Sequence, residues 1–272
     1  MLMNVVALLK GRGIVMNDKP FIERVSSNKP GWADTQIESW SQVGYRQAED
    51  FITRHYWTDR GSINVFRIVG TDHPQYAGMS WFDLLHRGKR MDINIPLIES
   101  NPGYYTEAAQ SHQGMSFVSL DGLDWYVSAD GNHRSCLARF YFHLQGYGVT
   151  QLHNVSLSQY QVDHTFMTAC EALSAMVPAL RSRGVYLALS AQRVPVSRDD
   201  TPGWKVDTWH TEVTVTLDDT TGNEGEQRFI LHHAAEAEQL RRQLEIRYLK
   251  PGATPKKGAW WKRLLASGKE GA

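Results

Sequence analysis

The run FVSLDGLDWYVSADGNHRSCLARFYFHLQG, residues 117–146, decides how this chain is read. Phe117-Val-Ser-Leu120 and Trp125-Tyr-Val-Ser128 are short segments rich in β-branched and aromatic residues. Asp121-Gly122 stands between them, a dipeptide suited to the positive φ angles of a tight turn, so the pair predicts a hairpin. Asp130-Gly-Asn-His-Arg134 follows. Leu137, Phe140, Tyr141 and Leu144 then fall at i, i+3, i+4 and i+7, the apolar face of a helix that Gly146 is placed to end.

A glycine turn at a helix start carries chemistry of its own. Gly131 permits a backbone conformation and a close approach that a side chain would block. Asn132 is a strong N-cap by type. The amides from Asn132 to Ser135, aided by the helix dipole, favour an anion, and His133 and Arg134 add side-chain donors. A phosphate is the natural guest. The competing reading is a well-capped helix whose His133 and Arg134 simply pair with neighbouring carboxylates such as Asp130. For hydrolytic chemistry, Asp130 is placed to orient His133 as a general base or to bind Mg²⁺ through one oxygen, with Glu107 and Asp124 as second-choice carboxylates.

Working outward, Ile93 to Pro102 reads as an apolar strand closed by the Asn101-Pro102 turn. Thr35 to Arg54 reads as a helix with Ile37, Trp40, Tyr45, Ala48, Phe51 and Ile52 on its apolar side, and Ile63 to Val69 as a short strand. Asp163 to Arg183 is helical by period, with Gly184 at its stop. Ser197 to Gly203 and Asp218 to Gly225 are loops by composition. Thr211 to Leu217 alternates at period two, and Phe229 to Leu231 is a strand running into the helix formers of Ala234 to Glu245. The expected organisation is α+β: a helical N-terminal extension (1–61), a central domain (62–183), a small C-terminal α+β region (184–249) and a basic tail (250–272).

The 272 residues are 42% hydrophobic and 21% charged, which excludes a disordered, collagenous or coiled-coil chain. Lys plus Arg and Asp plus Glu both count 29, so overall charge says nothing about an anionic partner. The tail is different: Lys250, Lys256, Lys257, Lys262, Arg263 and Lys269 stand against Glu270 alone, so a contact with DNA competes there with a merely solvated segment. Cys136 and Cys170 show no paired spacing, which suits a reducing cytoplasm, and Cys136 is expected as a small core residue. Eleven histidines, including His232-His233, make no HxxxH, HxH or HExxH spacing and are expected to be scattered. Phe140-Tyr-Phe142 is expected in the core. No apolar run reaches membrane-spanning length, the first residues do not read as a signal peptide, and Met16 would also serve as a start.

Asp130-Gly-Asn-His-Arg134 at a strand-to-helix junction resembles the ParB/sulfiredoxin superfamily, together with Ile95-Pro-Leu-Ile98 and Asn101-Pro102 upstream and Val155-Ser-Leu157 after the helix. The resemblance covers roughly residues 62–163. It implies a ParB/sulfiredoxin-like α+β fold with a nucleotide, ATP by preference, whose phosphates lie on Gly131, Asn132, His133, Arg134 and Ser135. In sulfiredoxins the motif reads GCHR and its cysteine does the redox chemistry. Asn132 occupies that position here, which argues against sulfinic-acid reduction. No GERR run and no recognition-helix pattern after Tyr160 match the chromosome-partitioning branch. The nearest branch is the plasmid-encoded fertility-inhibition and oncogenic-suppression proteins, which implies ATP- and Mg²⁺-dependent DNA processing that interferes with conjugation. Asp130, His133 and Arg134 would then be catalytic and Asp130 the metal ligand. A non-catalytic nucleotide- or DNA-binding regulator, and a kinase acting on a free amino acid, stand as alternatives.

Overall fold

A computed structural model describes residues 19–107, 114–220 and 225–250, and among the described residues nine strands and nine α-helices alternate irregularly. In order, the elements are α1 (Phe21–Ser27), β1 (Glu38–Ser39), α2 (Tyr45–Ala48), β2 (Ile52–Asn64), β3 (Ile68–Thr71), α3 (Trp81–Arg87), α4 (Met91–Ser100) and α5 (Gly103–Thr106). Then follow β4 (Ser116–Ser119), β5 (Trp125–Val127), α6 (Asn132–Leu144), β6 (Gln151–Val162), α7 (His164–Ser174) and α8 (Val177–Arg181). β7 (Val185–Asp199), β8 (Lys205–Asp219), β9 (Glu226–Leu231) and α9 (Ala234–Leu244) complete it. Met16 and the tail beyond Lys250 lie outside the described residues.

The strands form one mixed sheet in the order β1-β3-β5-β4-β6-β2-β8-β7, with β9 also paired to β8. β4 and β5 are antiparallel, Phe117 opposite Val127, so the hairpin expected around Asp121-Gly122 is present. β3 lies parallel to both β1 and β5. Gly70 is required in β3, because a Cβ there would stand 2.4 Å from the Tyr126 ring and 2.5 Å from the Glu38 carbonyl. β2 pairs with β8 through only four residues, Arg54 to Trp57, and β8 continues alongside β9 from Val213 to Asp218.

Two hydrophobic cores lie along this sheet. The first gathers α1, α3, α4 and α6 around Phe117, Leu137, Phe140 and Phe142. The second packs Phe166 and Leu173 of α7 and Leu240 and Leu244 of α9 against Val213, Val215 and Phe229. Period-two burial along β8 supplies that second face, buried and half-buried residues alternating from Thr211 to Asp219 as the threonine–valine pattern requires. Cys136 is buried with the first core, as are Phe140 and Phe142.

Three sequence expectations are corrected. Ile93 to Ile98 is not a strand but lies in α4, with Pro96 inside the helix. Met91 and Ile98 are buried on one helical face, two turns apart, Ile95 packs partly against the core, and Ile93 and Leu97 stay exposed. β-branched residues and a proline suggested extension, and burial at the helical period prevails. Thr35 to Arg54 is not one helix: Gly44 at φ +82° breaks it, Glu38 and Ser39 pair as β1, and β2 has begun by Ile52. Its apolar residues serve separate neighbours, Trp40 meeting Tyr126 and Phe51 meeting Phe166. Finally, the strand expected over Ile63 to Val69 is the end of β2, a short 3₁₀ turn and the start of β3.

Candidate functional site

The hairpin leads directly to the glycine turn. Ser128 donates its amide to the Ser116 carbonyl at 2.9 Å, and the Ser116 amide returns to the Asp130 carbonyl at 3.1 Å, so pairing with β4 holds the chain up to the turn. Gly131 sits at φ +129°, a conformation that L side chains rarely adopt, and a Cβ there would also meet Met115 Cε at 3.3 Å. α6 then enters the core. Arg139 anchors it: the guanidinium is almost fully buried, lies 4.2 Å from the Trp81 ring and 4.7 Å from Trp32, and donates to the Ile68 carbonyl. Burial pushes its pKa down to about 10, which leaves it a cation at neutral pH.

At the mouth of the helix each sequence-chosen residue has a distinct place. The first intrahelical hydrogen bond runs from the Ser135 amide to the Gly131 carbonyl at 2.8 Å. The Ser135 amide is thus consumed, and its side chain is fully buried, so Ser135 drops out of the expected phosphate cradle. The amides ahead of it, those of Asn132 and His133 among them, are the ones a helix leaves to outside acceptors. Asn132 does not cap. Gly131 occupies the N-cap with no side-chain bond, and Asn132 is the first helical residue, only 8% exposed.

Asp130 and His133 do not form the expected acid–base pair. One Asp130 oxygen accepts the Gly131 amide at 2.6 Å, and the other accepts Arg134 Nη2 at 2.8 Å. Arg134 also donates to Tyr104 Oη at 3.1 Å. His133 Nε2 meets Tyr76 Oη at 3.0 Å, and the Tyr76 ring stacks on His73. His133 is half-buried, and burial holds its imidazole below the ordinary value; Arg90 adds to that shift while Asp130 opposes it. Asp124 cannot join the site, since it precedes β5 while Asp130 follows it, and it is bound to Arg67 at 2.8 Å. Glu107 lies just after α5, beside Gly103.

Asp130, His133 and Arg134 line a cleft of about 360 Å³ whose other wall is the start of α4, with Arg90, Ile93 and Asn94. Arg90 is the residue sequence reasoning missed. It is exposed and enters no ion pair among the described residues. The signal that would have found it is the basic cluster Arg87, Lys89, Arg90 before α4. Two guanidiniums, an imidazole and a helix N-terminus thus face one space, which suits the phosphates of a nucleotide. The donor set does not suit Mg²⁺: the lining offers a single carboxylate, and both of its oxygens are already engaged, one by a guanidinium. A larger groove of about 740 Å³, bordered by Tyr56, Tyr160, His164 and Trp204, contains no lysine or arginine, and its lining includes the carboxylate of Asp121. No helix among the described residues is long and apolar enough to cross a membrane. Comparison with protein-family models, curated proteins and solved structures finds no match for the chain.

Proposed function

We propose that this chain binds a nucleotide through its phosphates in the cleft between the start of α4 and the start of α6. The observation that carries this reading is the convergence of Arg90, His133 and Arg134 on the N-terminus of a thirteen-residue helix behind a glycine turn. The resemblance of Asp130-Gly-Asn-His-Arg134 to the ParB/sulfiredoxin motif makes ATP the first nucleotide to test and DNA processing in a plasmid or other mobile element the setting. Within that setting, the engagement of Asp130 by Arg134 and by the Gly131 amide favours nucleotide-dependent regulation over hydrolysis of DNA. A cleaving site would need a carboxylate open to water or metal.

In this reading the residues divide the work. The first amides of α6 donate to a phosphate oxygen, Arg90 and Arg134 supply charge from opposite walls, and Tyr76 holds the ring of His133 through its Nε2. Phosphate binding draws Arg134 partly from Asp130, which couples occupancy to the turn.

Calorimetric titration of wild type with ATP, ADP, CTP and GTP, run beside a plasmid-relaxation assay with Mg²⁺, tests the reading. Micromolar-range binding of a nucleotide without DNA relaxation is the expected result. Relaxation lost in both Asp130→Ala and His133→Ala would restore the hydrolytic reading, and absence of binding to any of the four nucleotides would remove the site.

A further inference from the structure

His210 and Glu212 of β8 and His232, between β9 and α9, come together on the solvent-facing side of the C-terminal sheet. His210 and Glu212 are two residues apart on β8 and so share a face. His232 follows Leu231, the last residue of β9, which pairs with Val213, and it therefore stands beside Glu212 just past the end of the neighbouring strand. One ligand atom from each of the three residues falls within 4.8 Å of the other two. His210 Nε2 is 3.3 Å from Glu212 Oε1, and His232 Nδ1 is 3.9 Å from the same oxygen.

The surrounding structure holds this arrangement. The Glu212 carboxylate is half-buried, and its other oxygen accepts Gln192 Nε2 at 3.3 Å from the opposite strand, β7. The His232 backbone amide donates to Glu236 Oε2 at 2.7 Å, which ties it to the first turn of α9. Ligands mounted on paired strands and fixed by such outer contacts lose little freedom when a metal arrives. Both imidazoles are half open to solvent, so an ion could enter and would keep a coordination position facing water.

We propose that His210, Glu212 and His232 form a binding site for a divalent transition metal of the Zn²⁺ class. Two imidazole nitrogens and one carboxylate oxygen are a borderline donor set that suits Zn²⁺ or Co²⁺ and not Mg²⁺ or Ca²⁺, which take oxygen ligands. Three protein ligands leave the outward position to water or to a donor atom from a bound molecule. The ion would also cross-link β8 to the junction of β9 and α9, so loading should stabilise the second core. No spacing rule could find the site, because the third ligand reaches it only through strand register.

Full-length, untagged protein stripped with a chelator and titrated with Zn²⁺ should bind one equivalent that excess Mg²⁺ does not displace, and its unfolding temperature should rise. Co²⁺ in place of Zn²⁺ should give the visible bands of a low-coordinate nitrogen and oxygen site. His210→Ala and His232→Ala should each weaken binding by more than the about 10–100-fold that loss of an outer-shell partner costs. His86→Ala, at an exposed histidine outside the cluster, should leave binding unchanged. All three positions are at the surface, and circular dichroism checks that the variants fold. Zn²⁺ stoichiometry and affinity retained in the His210→Ala/His232→Ala double variant, or no Zn²⁺ binding by wild type, would overturn the proposal.

Discussion

Arg90 and Arg134 face the same cleft with different duties, and that difference sets how their substitutions should behave. Arg134 also holds Asp130 and Tyr104, so its removal disturbs the turn as well as the charge. Arg90→Ala is the cleaner probe: it should weaken nucleotide binding about ten- to hundredfold, the loss of one charge-assisted contact, with an unchanged unfolding temperature. Calorimetry on the pair of proteins checks this. His133 adds a pH dependence. Its pKa in the folded protein is held below the ordinary 6.5, so it is neutral at pH 7.5 and donates little charge. A bound phosphate favours the protonated ring, so affinity should rise as pH falls through the titration range of the ring. His133→Gln should flatten the curve, and a wild-type affinity that is independent of pH between 5 and 7.5 would exclude the ring from the contact. Arg139 contributes to the fold and not to the ligand. Arg139→Ala removes its aromatic contacts and carbonyl bond together and should cost about 3 kcal/mol by urea denaturation.

At the scale of elements, α4 is where local preference and packing disagree. A strand over Ile93 to Ile98 would place Ile93, Ile95 and Leu97 on one face and Ile98 on the other. The helix buries Ile98 and leaves Leu97 58% exposed. Ile98→Ala should therefore destabilise by about 2–4 kcal/mol, whereas Leu97→Ala should stay within about 0.5 kcal/mol of wild type. Equal costs at the two positions would contradict the helix. The helical register matters for the site as well, because it is the start of α4 that carries Arg90 to the cleft. α6 shows the opposite case. Its apolar face, its glycine turn and its closing Gly146 at φ +70° all lie within one short stretch and agree with one another.

For the molecule as a whole, the two cores are joined through a sheet in which β2 meets β8 across a seam of four paired residues. His55 sits in that seam opposite Asp207, stacked on Tyr160 at 4.5 Å with its Nδ1 3.7 Å from the Asp207 carboxylate. Burial keeps its imidazole below the ordinary value and outweighs Asp207. His133 is shifted in the same direction. A histidine whose folded pKa is depressed takes its proton first in the unfolded chain, so stability falls as pH drops through and below about 6.5. Urea denaturation at pH 7.5 and 5.5 should show that loss, and His55→Phe should reduce it. Equal stability of wild type at both pH values would contradict it.

The amino-acid sequence alone determines those parts of this protein whose signals are local. The β4–β5 hairpin, the turn at Gly131, α6, the alternation along β8 and the passage from β9 into α9 each depend on residues close together in the chain, where turn chemistry and hydrophobic period act directly. Tertiary structure decides the rest. It breaks Thr35 to Arg54 into separate pieces because each apolar residue finds a different distant partner. It turns Ile93 to Ile98 into a helix because a buried face at the helical period outweighs weak strand preference. It gives His133 to Tyr76, brings Arg90 across to the cleft, and sets His232 beside Glu212. Each of these depends on a contact between segments far apart in sequence, whose energy arises only once the intervening chain has folded.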